Sequence, residues 1–327
     1  MANNTVSNFT IYSPEYQTAM LETLATNLEL FNANSRGAII LRDEAIPGDY
    51  VSKTLFAAGG TISHRDNTST SGVTDGYQTT KEKVDVKVNF RYDPDKMTLD
   101  AWRKMGMSVA DYSALLGANN ARNKQTLLVG TAASVLAAKL QATATVTHDI
   151  SSDSTSTLTA RALGKGLAKF GDMAKNIVCW VMHSKPYFDL IDASLAGAGG
   201  DVIQDEAGLV VYGGSPGTLG RPVVVIDSSL DSDDSVPDYY TLGLCEGALE
   251  VVQSEPDVIW TTEITGEANL AYRIQGEFAV NFSMRGCTWD VGNGGANPTL
   301  ATLGTAAYWD ALYTSHKQLP GICIISK

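Results

Sequence analysis

The chain has 327 residues, 44% of them hydrophobic, which is enough for one large or two ordinary domains around a buried core. Its 36 acidic residues against 24 basic ones give a formal charge of -12, the opposite of the basic footprint with which a nucleic-acid reader displaces counterions from phosphates. The four cysteines, Cys179, Cys245, Cys287 and Cys323, lie far apart and read as buried reduced thiols.

In chain order, the first basic side chain is Arg36, so no positive n-region of a secretory signal is expected. After a polar start, "SPEYQTAMLETLATNLELF" predicts a helix with Ser13 as N-cap, Pro14 at the first helical position and Leu21, Leu24, Leu28 and Phe31 along one stripe. A loop rich in Gly, Ser, Thr and Asp then runs from about Ala57 to Thr80. It leads into "KEKVDVKVNFRY", where Val84, Val86, Val88, Phe90 and Tyr92 alternate with Asp85, Lys87, Asn89 and Arg91. That pattern predicts a strand with one apolar and one wet face. Strand, loop and strand together read as a two-stranded arm, which is marginal by itself and calls for a neighbouring molecule.

"SVAD" at Ser108 to Asp111 reads as a capping box opening a helix that runs to about Ala142. Thirty-odd residues would make a rod of roughly 50 Å. Its stretch from Lys124 to Lys139 holds Gly130, Thr131 and Ser134, too short and too polar to span a bilayer, and no membrane association is expected. "LTARALGKGLAKFGDMA" predicts a further helix with Leu163, Leu167 and Phe170 on one side and a solvated stripe of Arg161, Lys165 and Lys169 on another. "IVCWVMHSKPYFDLIDASL" reads as a buried strand followed at once by a helix, with Ser184 as N-cap. "GLVVYG", "RPVVVID" and "YYTLGLCE" are short strands that complete an α/β lobe. In "LAYRIQGEFAVNFSMR" the apolar residues fall at even positions, predicting one long strand or a bulged pair broken at Gly276. The rest reads as an irregular tail.

The stretch Gly213 to Gly217, "GGSPG", fits the nucleophile elbow, and Asp227, Asp238, Asp257 and His316 follow in the order a serine hydrolase uses. Its mechanics argue against catalysis by Ser215. The next residue, Pro216, has no N–H for an oxyanion hole, and the chain heads into another strand instead of a helix. The loop fits neither nucleotide-binding glycine pattern. "DSSLDSDDSVPD" lacks calcium-loop spacing, since Val236 and Leu242 stand where Gly and Glu are needed after Asp231. Cys179 and His183 have no second Cys or His pair nearby, so no zinc site is expected, and His64, His148 and His316 have no recognisable companions.

The order of parts, together with "WVMHSKPYFDLIDASL", "LVVYGGSPGTLGRPVVVID" and "LGLCEGALEVVQSE" followed by "YRIQGEFAVNF", resembles the major capsid proteins of tailed bacteriophages, the Hong Kong 97-type fold. The resemblance implies an α+β fold with an N-terminal arm (1–40), an extended β loop or E-loop (41–95), a spine helix with helical peripheral parts (96–175), an axial α/β domain (176–255), and peripheral strands with the C-terminal tail (256–327). It implies a structural subunit and not an enzyme, forming hexamers and pentamers of an icosahedral head around double-stranded DNA. Assembly in the host cytoplasm, the virion as location, and portal, scaffolding and decoration proteins as partners follow from the same likeness. No cofactor, metal or catalytic residue is implied, and DNA would be held without sequence-specific contacts. No removable scaffold segment is expected before residue 13. Some relatives cross-link their shells through Lys and Asn, a role for which Lys81 or Lys83 would be placed. An encapsulin-like nanocompartment shell is the alternative within this fold, and a serine hydrolase using Ser215 is the alternative of another class.

Overall fold

A computed structural model describes residues 20, 32–56, 62, 64–65, 67–72, 80–98, 100–101, 104, 109–153, 155–197, 216–232, 234–266 and 268–327. The helix expected from Ser13 lies outside this set except at Met20, which is helical and buried. Most of the loop after Ala57 and the "GLVVYG" strand also lie outside it.

Strands β1 (Ile39–Asp43), β2 (Tyr50–Phe56) and β3 (Thr80–Thr98) come first, then helix α1 (Val109–Gln141). Next are β4 (Thr147–Asp149), α2 (Ala160–Ala168), β5 (Ile177–Met182), α3 (Ser184–Gly197), β6 (Val223–Val225) and β7 (Tyr239–Cys245). The chain ends with β8 (Leu249–Ile264), β9 (Ala271–Met284), β10 (Cys287–Trp289), β11 (Trp309–Ala311) and β12 (Gly321–Ser326). Two five-stranded sheets result, ordered β1-β8-β9-β3-β2 and β4-β12-β7-β5-β6, with β10 and β11 as a separate pair.

The predicted long helix is present, 33 residues in one piece, while Ser108 of its expected capping box lies outside the described residues. It packs Leu128, Ala132, Val135, Leu136 and Leu140 into the core and touches β7, β8 and β12, so it ties the two sheets together. Gly130, unfavourable in a helix on propensity alone, has a packing reason: a Cβ there would stand 3.0 Å from Ser228 Oγ. The second sheet centres on Trp180 in β5, fully buried, whose indole N–H donates to the Thr218 carbonyl at 3.1 Å. Gly243 of β7 lies against that ring, where a Cβ would come within 2.7 Å.

Four expectations are corrected. The helix after β5 is not capped by Ser184, which is its first helical residue; the His183 ring Nδ1 accepts from Lys185 N at 3.1 Å, and the Asp227 carboxylate accepts from Ser184 N at 2.9 Å. These two groups satisfy N–H donors that have no partner inside the helix. The wet face of β3 is not wet throughout, because side chains from β2 and β8 and the backbone of the loop after β1 close over it. Asp85 and Lys87 are both buried; Lys87 Nζ reaches Glu255 Oε1 at 2.6 Å, and Asp85 lies 3.4 Å from Lys53 and 3.5 Å from Lys83. Gly276 does not break β9, which runs unbroken; the register shifts fall on its neighbours, between Tyr92 and Asp95 on β3 and between Gln253 and Val258 on β8. Gly276 is instead a place of close approach, since a Cβ would stand 2.9 Å from the Tyr92 ring and 3.0 Å from the Val258 carbonyl oxygen. Finally, the tail is not irregular to its end. Strand β12 enters the second sheet between β4 and β7, with Ile322, Cys323 and Ile324 fully buried.

Candidate functional site

Among the described residues the hydrolase candidates are each engaged elsewhere. Ser215 lies outside the described residues, and Pro216–Thr218 is a single 3-10 turn that leads to β6. The last glycine of this motif has a packing role: a Cβ on Gly217 would stand 2.6 Å from Ser194 Oγ on α3. Asp257 is engaged by Lys124 and by the Tyr92 hydroxyl, Asp227 caps α3, and Asp238 is held in the acidic loop by its N–H to Ser232 Oγ at 2.9 Å. His316 stands in a 3-10 turn of the tail, His316–Gln318. Among the described residues of the Asp227–Asp238 loop, Leu230 is buried and the others are exposed or half-buried. Among the described residues no group of His, Cys, Asp and Glu is arranged to hold a metal ion. Cys179 is buried in β5, and burial pushes its thiol up to about 12, which makes it a core side chain and a poor nucleophile.

What the sequence places at the surface for contact is different in kind. Among the described residues strand β2 pairs only with β3, from Tyr50 opposite Val86 to Phe56 opposite Thr80, so the two form a ribbon at the edge of the first sheet. At its base the ribbon is tied down: Lys83 Nζ donates to Ser283 Oγ at 2.7 Å, Lys81 Nζ to the Leu312 carbonyl, and Val84 N to Thr288 Oγ1 at 2.8 Å. Farther along the same sheet, β8 and β9 continue as a pair to Ile264 and Ala271. One face of this pair packs Ile259 and Ile274 with Met20, Ala121 and Leu116. The other turns Val258, Trp260 and Thr262 outward beside Arg273 and Glu277. Trp260 is 72% exposed and Val258 52% exposed, a large apolar area for a surface to leave uncovered.

The sequence model of the Gp13-like family, described as major capsid protein 13-like, matches residues 8–323. The chain belongs to the major capsid protein 13-like family. Among curated proteins nothing matches. Solved phage capsids share the fold of this capsid protein. The capsid of Ralstonia phage GP4 is similar at a TM-score of 0.52 and 11% identity, over 89% of this chain and 87% of that one. The capsid of Myoviridae phage XM1 is similar at 0.51 and 10%, over 89% and 90%. The acid-stable capsid of Helicobacter pylori bacteriophage KHP30 is similar at 0.50 and 11%, over 89% and 88%. The capsid protein therefore has the mixed helix and sheet fold of the Hong Kong 97 type, and its family and fold are structural, which overturns the serine hydrolase alternative.

For a capsid protein the working parts are contact surfaces and the braces that hold them. Sequence reasoning missed both the Trp260 face and the Lys124–Asp257 brace. In Val258–Ile264 apolar residues fall at odd and even positions alike, so alternation does not say which side faces out. Lys124 carried a readable signal: it stands three residues after Ala121 and four before Leu128, both buried, which places it on the apolar side of α1.

Proposed function

We propose that this capsid protein assembles as hexamers and pentamers into an icosahedral head that encloses double-stranded DNA, with portal and scaffolding proteins as partners in the host cytoplasm. In this reading the β2–β3 ribbon is the extended loop, α1 the spine, the β5–β7 lobe the axial domain, and the β8–β9 pair part of the peripheral domain. The observation that carries it is the ribbon at the sheet edge: among the described residues β2 has a single strand partner, and its Tyr50, Ser52, Lys53 and Thr54 are exposed. Two strands alone are marginal in water, so support from a neighbouring copy gives the ribbon a reason to exist. The formal charge of -12 fits a wall that does not grip the packaged polyanion.

Electron microscopy of the purified protein, with light scattering on the same sample, tests this. Closed shells or six- and five-membered rings are expected, and shells isolated from infected cells should contain nucleic acid. A protein that stays monomeric with and without its scaffold would overturn the reading, and shells filled with cargo protein would move it to a nanocompartment.

A further inference from the structure

Among the described residues the first sheet has two edges without a strand partner in its outer half, and they differ in a telling way. Beyond Val86, its last residue paired with β2, strand β3 shows an edge bearing Arg91, Asp93, Pro94, Asp95 and Lys96, all exposed. Charges and proline are the usual means of keeping an edge from pairing with another chain. On the opposite side, β1 pairs with β8 only as far as Gln253, and the following backbone bonds, from Glu44 to Gln253 O and from Ile46 to Ser254 O, end that pairing. From Val258 to Thr262 the outer edge of β8 has no strand partner among the described residues, and it carries Val, Ile, Trp, Thr and Thr, with no charge, proline or glycine. One edge is guarded; the other is open, β-prone and flanked by the exposed Trp260.

We infer that this open edge pairs antiparallel with the same edge of a second copy of the chain, joining two first sheets into one continuous sheet. The inference rests on the reading of the protein as a self-assembling subunit and names one of its contacts. The stretch Val258–Ile264 is self-complementary about its middle residue, Thr261. A two-fold axis there sets Val258 opposite Ile264 and Trp260 opposite Thr262 of the other copy, all uncharged. Glu263 falls opposite Ile259, so the two carboxylates are not placed face to face, and like charges directly opposite would have been destabilising. Such a contact uses one patch on both partners, as a two-fold interface requires. The edge supplies hydrogen bonds and the Val258–Trp260–Thr262 face supplies apolar cover.

A Thr261→Cys variant tests it in assembled particles. Directly opposed residues of an antiparallel pair have Cα atoms about 4.5–5.5 Å apart, within reach of a disulfide. The four native cysteines are buried and free, so a new bond reports the new thiol. Under mild oxidation most Thr261→Cys chains should run as a dimer on a non-reducing gel. Arg91→Cys, on the guarded edge of the same sheet, should remain monomeric. Assembled particles in which Thr261→Cys gives no dimer, or gives no more than Arg91→Cys, overturn the edge pairing while leaving the shell reading intact. A wild-type chain that never associates overturns the shell reading first and this contact with it.

Discussion

Lys124, midway along α1, sets its ammonium 2.7 Å from Oδ2 of Asp257 on β8, the two side chains 0% and 7% exposed. The site spends every donor well: Gln253 Oε1 accepts at 2.7 Å, Asp257 Oδ1 accepts at 2.9 Å, and the Phe278 ring lies 4.5 Å away under the charge. Asp257 also accepts from the Tyr92 hydroxyl at 3.0 Å and from Gln253 Nε2 at 3.1 Å. Burial pushes the Lys124 pKa down, and the neighbouring carboxylate acts to raise it. The pair sits where β8 shifts register, so it fixes an irregular piece of sheet to the helix.

Removing one partner leaves the other charge buried without compensation. Asp257→Ala should therefore cost about 3–5 kcal/mol, whereas Lys124→Met combined with Asp257→Leu should regain most of that loss. Denaturant unfolding of the unassembled subunit would measure both. A single variant as stable as wild type would show that the brace holds nothing.

Two glycines should respond with opposite sign. At Gly321, β12 passes β7 so closely that a Cβ would drive into the Gly243 carbonyl oxygen. Backbone cannot step aside cheaply, and Gly321→Ala should cost about 1–3 kcal/mol or more. Gly164, on the exposed side of α2, has nothing within 4 Å of the position a Cβ would take. Gly164→Ala should stabilise by roughly 0.5–1 kcal/mol through helix propensity. Thermal melting of the two variants decides both.

The four buried thiols make stability fall at alkaline pH. Burial raises Cys179 to about 12 and Cys245 and Cys287 to about 11, against an ordinary 9.0, and raises Cys323 too. Below pH 9 the thiols are neutral folded or unfolded, and their contribution is fully present. Above it only the unfolded chain ionises, so that contribution is lost as pH climbs towards the folded values, at about 1.4 kcal/mol per thiol per pH unit. Denaturation midpoints from pH 7 to 10.5 should show the drop. A thiol reagent at neutral pH should find no reactive cysteine in the native subunit and four in denaturant.

Lys81 and Lys83 already have partners within their own subunit, in the Leu312 carbonyl and in Ser283 and Asp85. Mature particles boiled in denaturant should therefore release monomer and no covalent ladder. A ladder that disappears in Lys83→Arg would show that this lysine leaves Ser283 during maturation.

By itself the sequence determined the local elements. The alanine-rich run specifies α1, strict alternation specifies β3, the apolar run before His183 specifies β5, and the order of these parts carries the likeness to phage capsid proteins. All of these signals reside within a few turns or strand steps of chain, where backbone geometry fixes the period. Tertiary structure alone decided which polar side chains are buried and where distant strands meet. Asp85 and Lys87 read as solvent-facing until Lys53, Lys83 and Glu255 gather round them, and Asp257 read as a candidate acid of a serine hydrolase until α1 brings Lys124 to it. Strand β12 meets β7 across some eighty residues and β4 across far more, and no period in the sequence encodes a partner at that distance. The edge of β8, unpaired among the described residues, was hidden for the same reason: its exposure depends on where β1 stops, and a strand cannot announce how far its neighbour will run.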